Sequence, residues 1–215
     1  MAKTRTPKPP SPPAGRRRAP TKGDRREQAL LDALERLLAQ QPVARLSVDQ
    51  IAGEAGLSRT AFYFYFSSKE AAVMRLVERT MAAIWQVPDS WLLGDDPDPT
   101  ESLNRSLGAA VQVWAEHGAV LAAVVEAASY DRELWEFWRR ILDGFIEAAA
   151  QRIARDQKAG RARADLDPHT TAEALCWMNE RYLYAALAAD GTPQRSAEVL
   201  ETLTGVWKRV VYDAL

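Results

Sequence analysis

The residues whose types point most directly to chemistry lie between positions 58 and 65. They supply hydroxyl groups, a guanidinium and two phenols, all of which can donate hydrogen bonds to phosphate oxygens or to base edges. These candidates are Ser58, Arg59, Thr60, Tyr63 and Tyr65. Groups of this kind on one short segment are typical of a nucleic-acid interface rather than of a catalytic centre.

Two short helices joined by a glycine turn would position these groups. Ser47 is placed to cap the first helix, with Gln50 completing a capping box, and it is a further candidate DNA contact. Gly56 ends that helix, and Ser58 caps a second one that runs to about Tyr65. Its spacing turns three apolar side chains inward: Leu57, Phe62 and Phe66. This predicts a helix-turn-helix whose second helix enters the major groove. The same spacing would also suit a helical hairpin with an aromatic core.

The charge of the chain is divided between its two parts. Residues 1–87 contain 15 Lys and Arg against 8 Asp and Glu, whereas residues 88–215 contain 13 against 21. Residues 1–23 hold six prolines, seven basic residues and no acidic residue, which predicts a disordered basic arm. The arm either contacts DNA or only improves solubility. A basic first part indicates that this part meets a polyanion.

The remaining sequence predicts an all-α fold of about nine helices, because apolar residues recur with helical spacing and no stretch alternates like a strand. The predicted domains are the arm at 1–23, a helix-turn-helix domain of three helices at 24–67, and a helical bundle at 68–215. A fourth helix at 68–87 connects the last two. Further helices are predicted at 101–116, 118–129, 131–158, 168–189 and 194–213.

The segment LSRTAFYFYFSSKEA resembles the TetR family of repressors, in which a small polar pair, a Tyr and an aromatic residue precede a Ser-Lys-Glu. The resemblance implies that Tyr63 contacts a phosphate. It also implies that Lys69 and the N-terminus of the fourth helix hold another phosphate. Ala61 departs from the pattern, because many members have a Thr at this DNA-contacting position. The loss weakens one expected phosphate contact.

Further along, the segment MNERYLYAALA and a Trp-bearing last helix are similar to the EthR-like branch of that family. This similarity implies a largely apolar tunnel that binds a small-molecule effector. The implied lining residues are Trp114, Trp138, Leu142, Phe145, Ala149, Cys176, Asn179, Tyr184 and Trp207.

Each of these residues also has a plain structural reading. A Trp in a helical protein is more often ordinary core, and Asn179 could satisfy a neighbouring helix end. Cys176 stands where the branch has a second amide, and Leu103 and Ala110 replace bulky aromatic residues, so the tunnel is expected to have a different shape. Glu180 and Arg181 are interpreted as a local structural pair.

Because one short recognition helix reads few base pairs, we expect a homodimer on a palindromic operator. The last two helices, 168–189 and 194–213, carry the apolar residues expected at its interface. An enzyme is disfavoured, since the sequence has no catalytic triad signature, no phosphate-binding loop and no metal-ligand spacing, and no cofactor is expected. A non-specific DNA-coating protein is the other alternative. One cysteine and the absence of a signal peptide or membrane span predict a cytoplasmic protein.

Overall fold

The computed structural model describes residues 21–87, 90–94, 98–189 and 191–212, so the predicted arm lies outside it except at its last three residues. The described chain forms α-helices and one 3₁₀ turn and contains no β-strand, which confirms the all-α fold class. In chain order the helices are α1 (Lys22–Leu38), α2 (Val48–Glu54), α3 (Arg59–Tyr65), α4 (Lys69–Trp85), α5 (Pro99–Ala127), α6 (Arg132–Lys158), α7 (Pro168–Leu187) and α8 (Pro193–Val211), and the 3₁₀ turn is Val43–Arg45.

Side-chain caps fix where the helices begin. Ser47 forms the predicted capping box with Gln50, and Ser58 accepts a hydrogen bond from the backbone N–H of Ala61. The sequence analysis missed a second capping box, in which Thr21 and Asp24 each accept a hydrogen bond from the backbone N–H of the other. The first helix therefore begins at Lys22, two residues before the position at which the helical pattern was expected to start. Local polar capping decides these positions.

The two helices predicted at 101–116 and 118–129 follow each other in one kinked element, with the kink at the predicted junction, so the described chain has eight helices rather than about nine. Only His117 leaves helical geometry, at φ −125° and ψ 22°, and α5 is kinked there. Gly118 does not end the helix. Instead, a Cβ atom at Gly118 would lie 2.7 Å from the carbonyl oxygen of Leu187. The glycine serves a close contact between α5 and α7 that sequence spacing could not reveal.

Helix α4 lies where the N-terminal helices meet the larger bundle. It packs against α1 on one side and against α5 and α6 on the other. The buried apolar side chains of all eight helices form one continuous hydrophobic core. Helix α5 is long and apolar enough to cross a membrane, but half of its most apolar stretch is buried within the protein, against α4, α7 and α8.

The last two helices have less free apolar surface than their sequence indicates. Of the residues expected at a dimer interface, five are buried inside the protomer: Ala186, Leu187, Val199, Leu203 and Val211. They are absorbed by packing of α7 against α6 and of α8 against α5. Of the expected residues, those that retain exposure are Ala185, Leu200, Val206 and Val210. A dimer through α7 and α8 would have to use this smaller surface.

Candidate DNA-binding surface and ligand cavity

Helices α2 and α3 form the predicted helix-turn-helix. Gly56 makes the turn between them with φ +66°, a conformation that glycine adopts without strain. Phe62 is fully buried, Phe66 is nearly so, and their ring centroids lie 5.5 Å apart. Leu57 is half-buried and packs against the same core. The predicted inward face of α3 is therefore present, and its opposite face is free for another molecule.

Arg59 and Tyr63 form a preorganised pair on that free face. The guanidinium carbon of Arg59 lies 5.5 Å from the centroid of the Tyr63 ring, and Nη2 donates a 3.3 Å hydrogen bond to the phenol oxygen. Asp49 on α2 forms an ion pair with the other side of the guanidinium. Tyr63 is 46% exposed, and Thr60 is also exposed. This pair presents one cation and one hydroxyl to the solvent.

The other candidate DNA contacts of the helix-turn-helix are less available to another molecule. The hydroxyl oxygens of Ser47 and Ser58 are exposed and already accept backbone N–H groups as caps, and Ser47 Oγ also donates to Gln50. Ala61 and Tyr65 are half-buried, and Tyr65 packs against the core. These four residues lie at the flanks of the exposed face rather than at its centre.

Phe64 is a surface residue that the sequence reasoning missed. It is 82% exposed, more than any other large apolar side chain in the described chain. It follows Phe62 and precedes Phe66 by two positions each, and two residues on a helix turn a side chain to the far side. The spacing that buries its neighbours was thus sufficient to place Phe64 outward.

Lys69 has an internal role at the start of α4. Its Nζ donates 2.9 Å hydrogen bonds to the backbone oxygens of both Val43 and Leu46, which precede α2. An ammonium group carries three protons, and Glu70 Oε1 lies 3.9 Å from Nζ, so a phosphate would share the third proton with that carboxylate. The expected phosphate contact stays a prediction, and the structure adds that Lys69 anchors α4 to the segment before α2.

A largely apolar cavity lies in the bundle between α4, α5, α6, α7, α8 and the segment 90–94. The volume open to the centre of a water molecule is about 100 Å³. Of the nine residues implied as lining, the cavity brings together eight: Trp114, Trp138, Leu142, Phe145, Ala149, Cys176, Asn179 and Trp207. Their spacing predicted a common face only within α6. The tertiary packing of five helices brings the rest together.

Tyr184 is the exception among the implied lining residues, because it does not border the cavity. It packs edge-on against Trp114, with ring centroids 6.4 Å apart, and its hydroxyl donates to Glu126. Trp114, which does border the cavity, is therefore only a packing neighbour of Tyr184. Burial and Glu126 raise the pKa of Tyr184 above its ordinary value.

Several lining residues were not among the sequence candidates. Met81 and Ile84 come from α4, Trp91 comes from the segment 90–94, and Leu183 and Glu180 come from α7. Glu180 does lie near Arg181, at 3.8 Å, as the expected pair. Because it also borders the cavity and is 5% exposed, the interpretation of a purely local pair was incomplete. Leu103 and Ala110, noted as small replacements, also line the cavity.

The amide of Asn179 is tied to the cavity wall rather than to a helix end. Its Oδ1 accepts a 3.0 Å hydrogen bond from the indole Nε1 of Trp207 on α8. This hydrogen bond fixes the orientation of the amide, and its oxygen accepts from another residue of the protein. Burial raises the pKa of the Cys176 thiol to about 12, so the thiol is neutral and contributes to the wall as a small apolar group.

A buried ion pair holds one end of the cavity in place. Arg152 Nε donates to Asp156 Oδ2 at 2.8 Å, and both side chains are almost completely buried. Tyr212 donates to the same oxygen and accepts from Trp91, a cavity residue. Burial by itself raises the pKa of Asp156, but hydrogen bonds from Arg152, Tyr212 and Arg161 outweigh it and hold the pKa below its usual value.

A second polar cluster links the DNA-binding helices to the kink in α5. His117 Nδ1 and Glu35 Oε1 are 2.6 Å apart, and Arg79 on α4 forms ion pairs with both Glu35 and Asp32 on α1. Three helices therefore meet at one point through polar and charged side chains. Any displacement of α4 or of the kink in α5 would therefore change the contacts of α1.

Comparison with known proteins finds matches to both the helix-turn-helix region and the helical bundle. Residues 30–73 match the family model of bacterial regulatory proteins of the tetR family. The fold and the helix-turn-helix define the class, and the chain belongs to the TetR family of transcriptional regulators. Residues 103–213 match the model of the C-terminal domain of the transcriptional regulator EthR, which places the chain in the EthR-like branch.

Curated relatives match over nearly the full length. The HTH-type transcriptional regulator EthR of Mycolicibacterium smegmatis is 34% identical over 203 residues, which are 94% of each chain. EthR of Mycobacterium tuberculosis is 35% identical over 203 residues and covers 93% of each chain. The matched families and these relatives are transcriptional regulators and not enzymes.

Solved structures share the fold at lower identity. NalD, the secondary repressor of the MexAB-OprM multidrug efflux pump in Pseudomonas aeruginosa, has a TM-score of 0.72 and 24% identity, covering 90% of this chain and all of NalD. The fatty acid degradation regulator FadR of Bacillus halodurans has a TM-score of 0.71 and 19% identity, covering 84% of this chain and 95% of FadR.

Proposed function

We propose that this regulator is a repressor that binds a palindromic operator as a homodimer and is released by an apolar small molecule in the bundle cavity. One observation carries the proposal: α4 reaches both sites. Its first residue, Lys69, is bonded to the segment before α2, while Met81 and Ile84 border the cavity. These positions are separated by about 20 Å along a helix that rises about 1.5 Å per residue.

The proposed release follows from that connection. A ligand that enlarges the cavity displaces Met81 and Ile84 and so tilts α4. Arg79 transmits the tilt to α1, and Lys69 transmits it to the start of α2. In a homodimer the two recognition helices then lose the spacing of successive major grooves. The coupling is reciprocal, so the same ligand binds more weakly when operator is present.

The proposed DNA contacts are centred on α3. Arg59 and Tyr63 occupy its exposed face, with Ser58 and Thr60 at its first turn and Lys69 at the start of α4. The candidate residues at the flanks of this face are Ser47, Ala61 and Tyr65. They would contact the DNA backbone only where it comes close to the protein. A net positive charge on residues 1–87 supports association with a polyanion.

The test is binding of the purified protein to DNA from its own upstream region, with scrambled DNA at the same salt concentration as the control. We expect selective binding by an even number of chains and a loss of affinity of about tenfold in Tyr63→Phe, since one hydrogen bond to a charged group is removed. Tyr130→Phe is the matched control, because Tyr130 is exposed on another surface. Equal affinity for both DNAs, with a steep salt dependence, would instead identify a non-specific DNA-coating protein.

A further inference from the structure

The cavity wall contains polar atoms without partners. Glu180 is 5% exposed, and its Oε2 has no hydrogen bond. Trp138 Nε1, on the facing helix α6, is likewise buried without a hydrogen bond. The indole lies near the Glu180 carboxylate but outside hydrogen-bond geometry. The indole contact offsets part of the cost of burying the carboxylate, but neither group makes a full hydrogen bond, so the carboxylate can still accept a donor from a bound molecule.

The charge of Glu180 is also poorly compensated. The guanidinium of Arg181 is the cation paired with it, with Nε 3.8 Å from Oε2, but the Arg181 side chain is 64% exposed. Among the described residues that border the cavity, none is basic. Burial raises the pKa of Glu180 above its ordinary value, and Arg181 and the Trp138 indole offset this only in part. A carboxylate in such surroundings gains from any cation that reaches it.

The rest of the wall selects an apolar body. Leu142, Phe145, Leu183 and the rings of Trp114 and Trp207 line the same cavity as Glu180. Asn179 uses its oxygen to bind Trp207, and the neutral Cys176 offers no charge. Within the described lining, Glu180 is therefore the one carboxylate in a mostly apolar wall, alongside the neutral polar side chains of Ser106 and Asn179.

We propose that the effector of this site is an amphipathic cation, an apolar molecule whose protonated amine pairs with Glu180 inside the cavity. The proposal rests on the proposed ligand-controlled function and names the chemical class of its effector. The ammonium donates to Glu180 Oε2 and replaces the weak compensation by Arg181. The apolar part of the molecule fills the space next to Trp138 and Leu142 and contacts Met81 and Ile84 on α4.

The test compares phenylbutylamine with phenylbutanol, which have the same apolar body and differ in charge at neutral pH. Binding to the full chain without DNA is measured by titration calorimetry. We expect the amine to bind at least tenfold more tightly than the alcohol. In Glu180→Gln this preference falls to less than threefold. Glu173→Gln removes a carboxylate from α7 outside the cavity and keeps the preference.

The variant also has a readout that does not need a ligand. Because Glu180→Gln removes a poorly compensated buried charge, the melting temperature of the ligand-free variant should equal or exceed that of the original protein. A folded Glu180→Gln variant that retains the full amine preference would overturn the proposal. Equal binding of the two probes by the original protein, or no binding of the amine, would overturn it as well. These results are independent of operator binding, so they separate this proposal from the proposed function.

Discussion

Phe62 and Phe64 lie two residues apart on α3 and have opposite environments. Phe62 is fully buried, whereas Phe64 is 82% exposed on the side that faces the proposed operator. An exposed phenyl ring at this place can contact the methyl group of thymine in the major groove. A phenylalanine therefore stabilises the core at position 62, while at position 64 it is free to contact another molecule.

We expect Phe64→Ala to weaken operator binding by about tenfold, because burying a Phe side chain is worth about 1.5–3 kcal/mol, while the free energy of unfolding changes by less than about 0.5 kcal/mol. Phe62→Ala should lower the free energy of unfolding by about 3–5 kcal/mol. Fluorescence anisotropy with labelled operator and urea denaturation measure the two effects. Tyr130→Ala is the control for loss of an exposed aromatic ring. Full operator affinity in Phe64→Ala would contradict the assignment.

Lys69 combines a structural contact with a proposed DNA contact, and one variant separates the two. Lys69→Met keeps the apolar stem and removes both hydrogen bonds to backbone oxygens, so we expect the free energy of unfolding to fall by about 1–3 kcal/mol. If the third proton of the ammonium binds a phosphate, the slope of log affinity against log salt also decreases by about 0.9. Lys158→Met, at the exposed end of α6, is the control. Unchanged stability would rule out the anchoring role.

At the scale of elements, two glycines in helices have opposite surroundings. A Cβ atom at Gly118 would lie 2.7 Å from the carbonyl oxygen of Leu187, but one at Gly53 in α2 would meet nothing within 4 Å. Gly118 thus permits α5 and α7 to approach, while Gly53 only lowers helix propensity.

Gly118→Ala should therefore lower the free energy of unfolding by about 1–3 kcal/mol, because helix α7 must move to relieve the overlap. Gly53→Ala is the matched control and should raise it by about 0.5–1 kcal/mol. Thermal and urea denaturation of both variants measure the difference. Stabilisation by both substitutions would show that α5 and α7 do not approach this closely.

At the scale of the whole molecule, the Arg152–Asp156 pair joins the segment 90–94, α6 and the end of α8 within the core. The folded pKa of Asp156 is below the ordinary value of 3.8. A carboxyl group with a lowered pKa binds fewer protons in the folded state than in the unfolded state. Its stabilising contribution is therefore complete at neutral pH and is lost as the pH falls below about 4.

Asp156→Asn should lower the free energy of unfolding at neutral pH by about 3–5 kcal/mol, because a buried ion pair loses its carboxylate. The difference between the variant and the original protein should shrink as the pH is lowered toward about 3, where the unfolded chain takes up the proton. Denaturation over a pH series measures this trend. Asp143→Asn, which removes an exposed carboxylate on α6, should have little effect at any pH. A deficit in Asp156→Asn that stays constant with pH would contradict the ionic role.

The sequence by itself determined most of what is local in this protein. Hydroxyl caps such as Ser47 and Ser58, the turn at Gly56 and the inward aromatic spacing of α3 act between residues a few positions apart. Because each depends only on near neighbours in the chain, the order of the residues was enough to predict it. Resemblance also supplied eight residues that border the cavity, but chain spacing alone related only those on α6.

The tertiary structure decided every feature that depends on residues far apart in the chain. It placed the two predicted helices in one kinked element, α5, and it explained Gly118 by a close approach to Leu187, 69 positions later. It turned Lys69 toward Val43 and Leu46 and placed Tyr184 against Trp114, away from the cavity. It also left Glu180 without a hydrogen-bond partner at Oε2. Whether a polar atom is satisfied, or two backbones can touch, depends on which helices fold against each other.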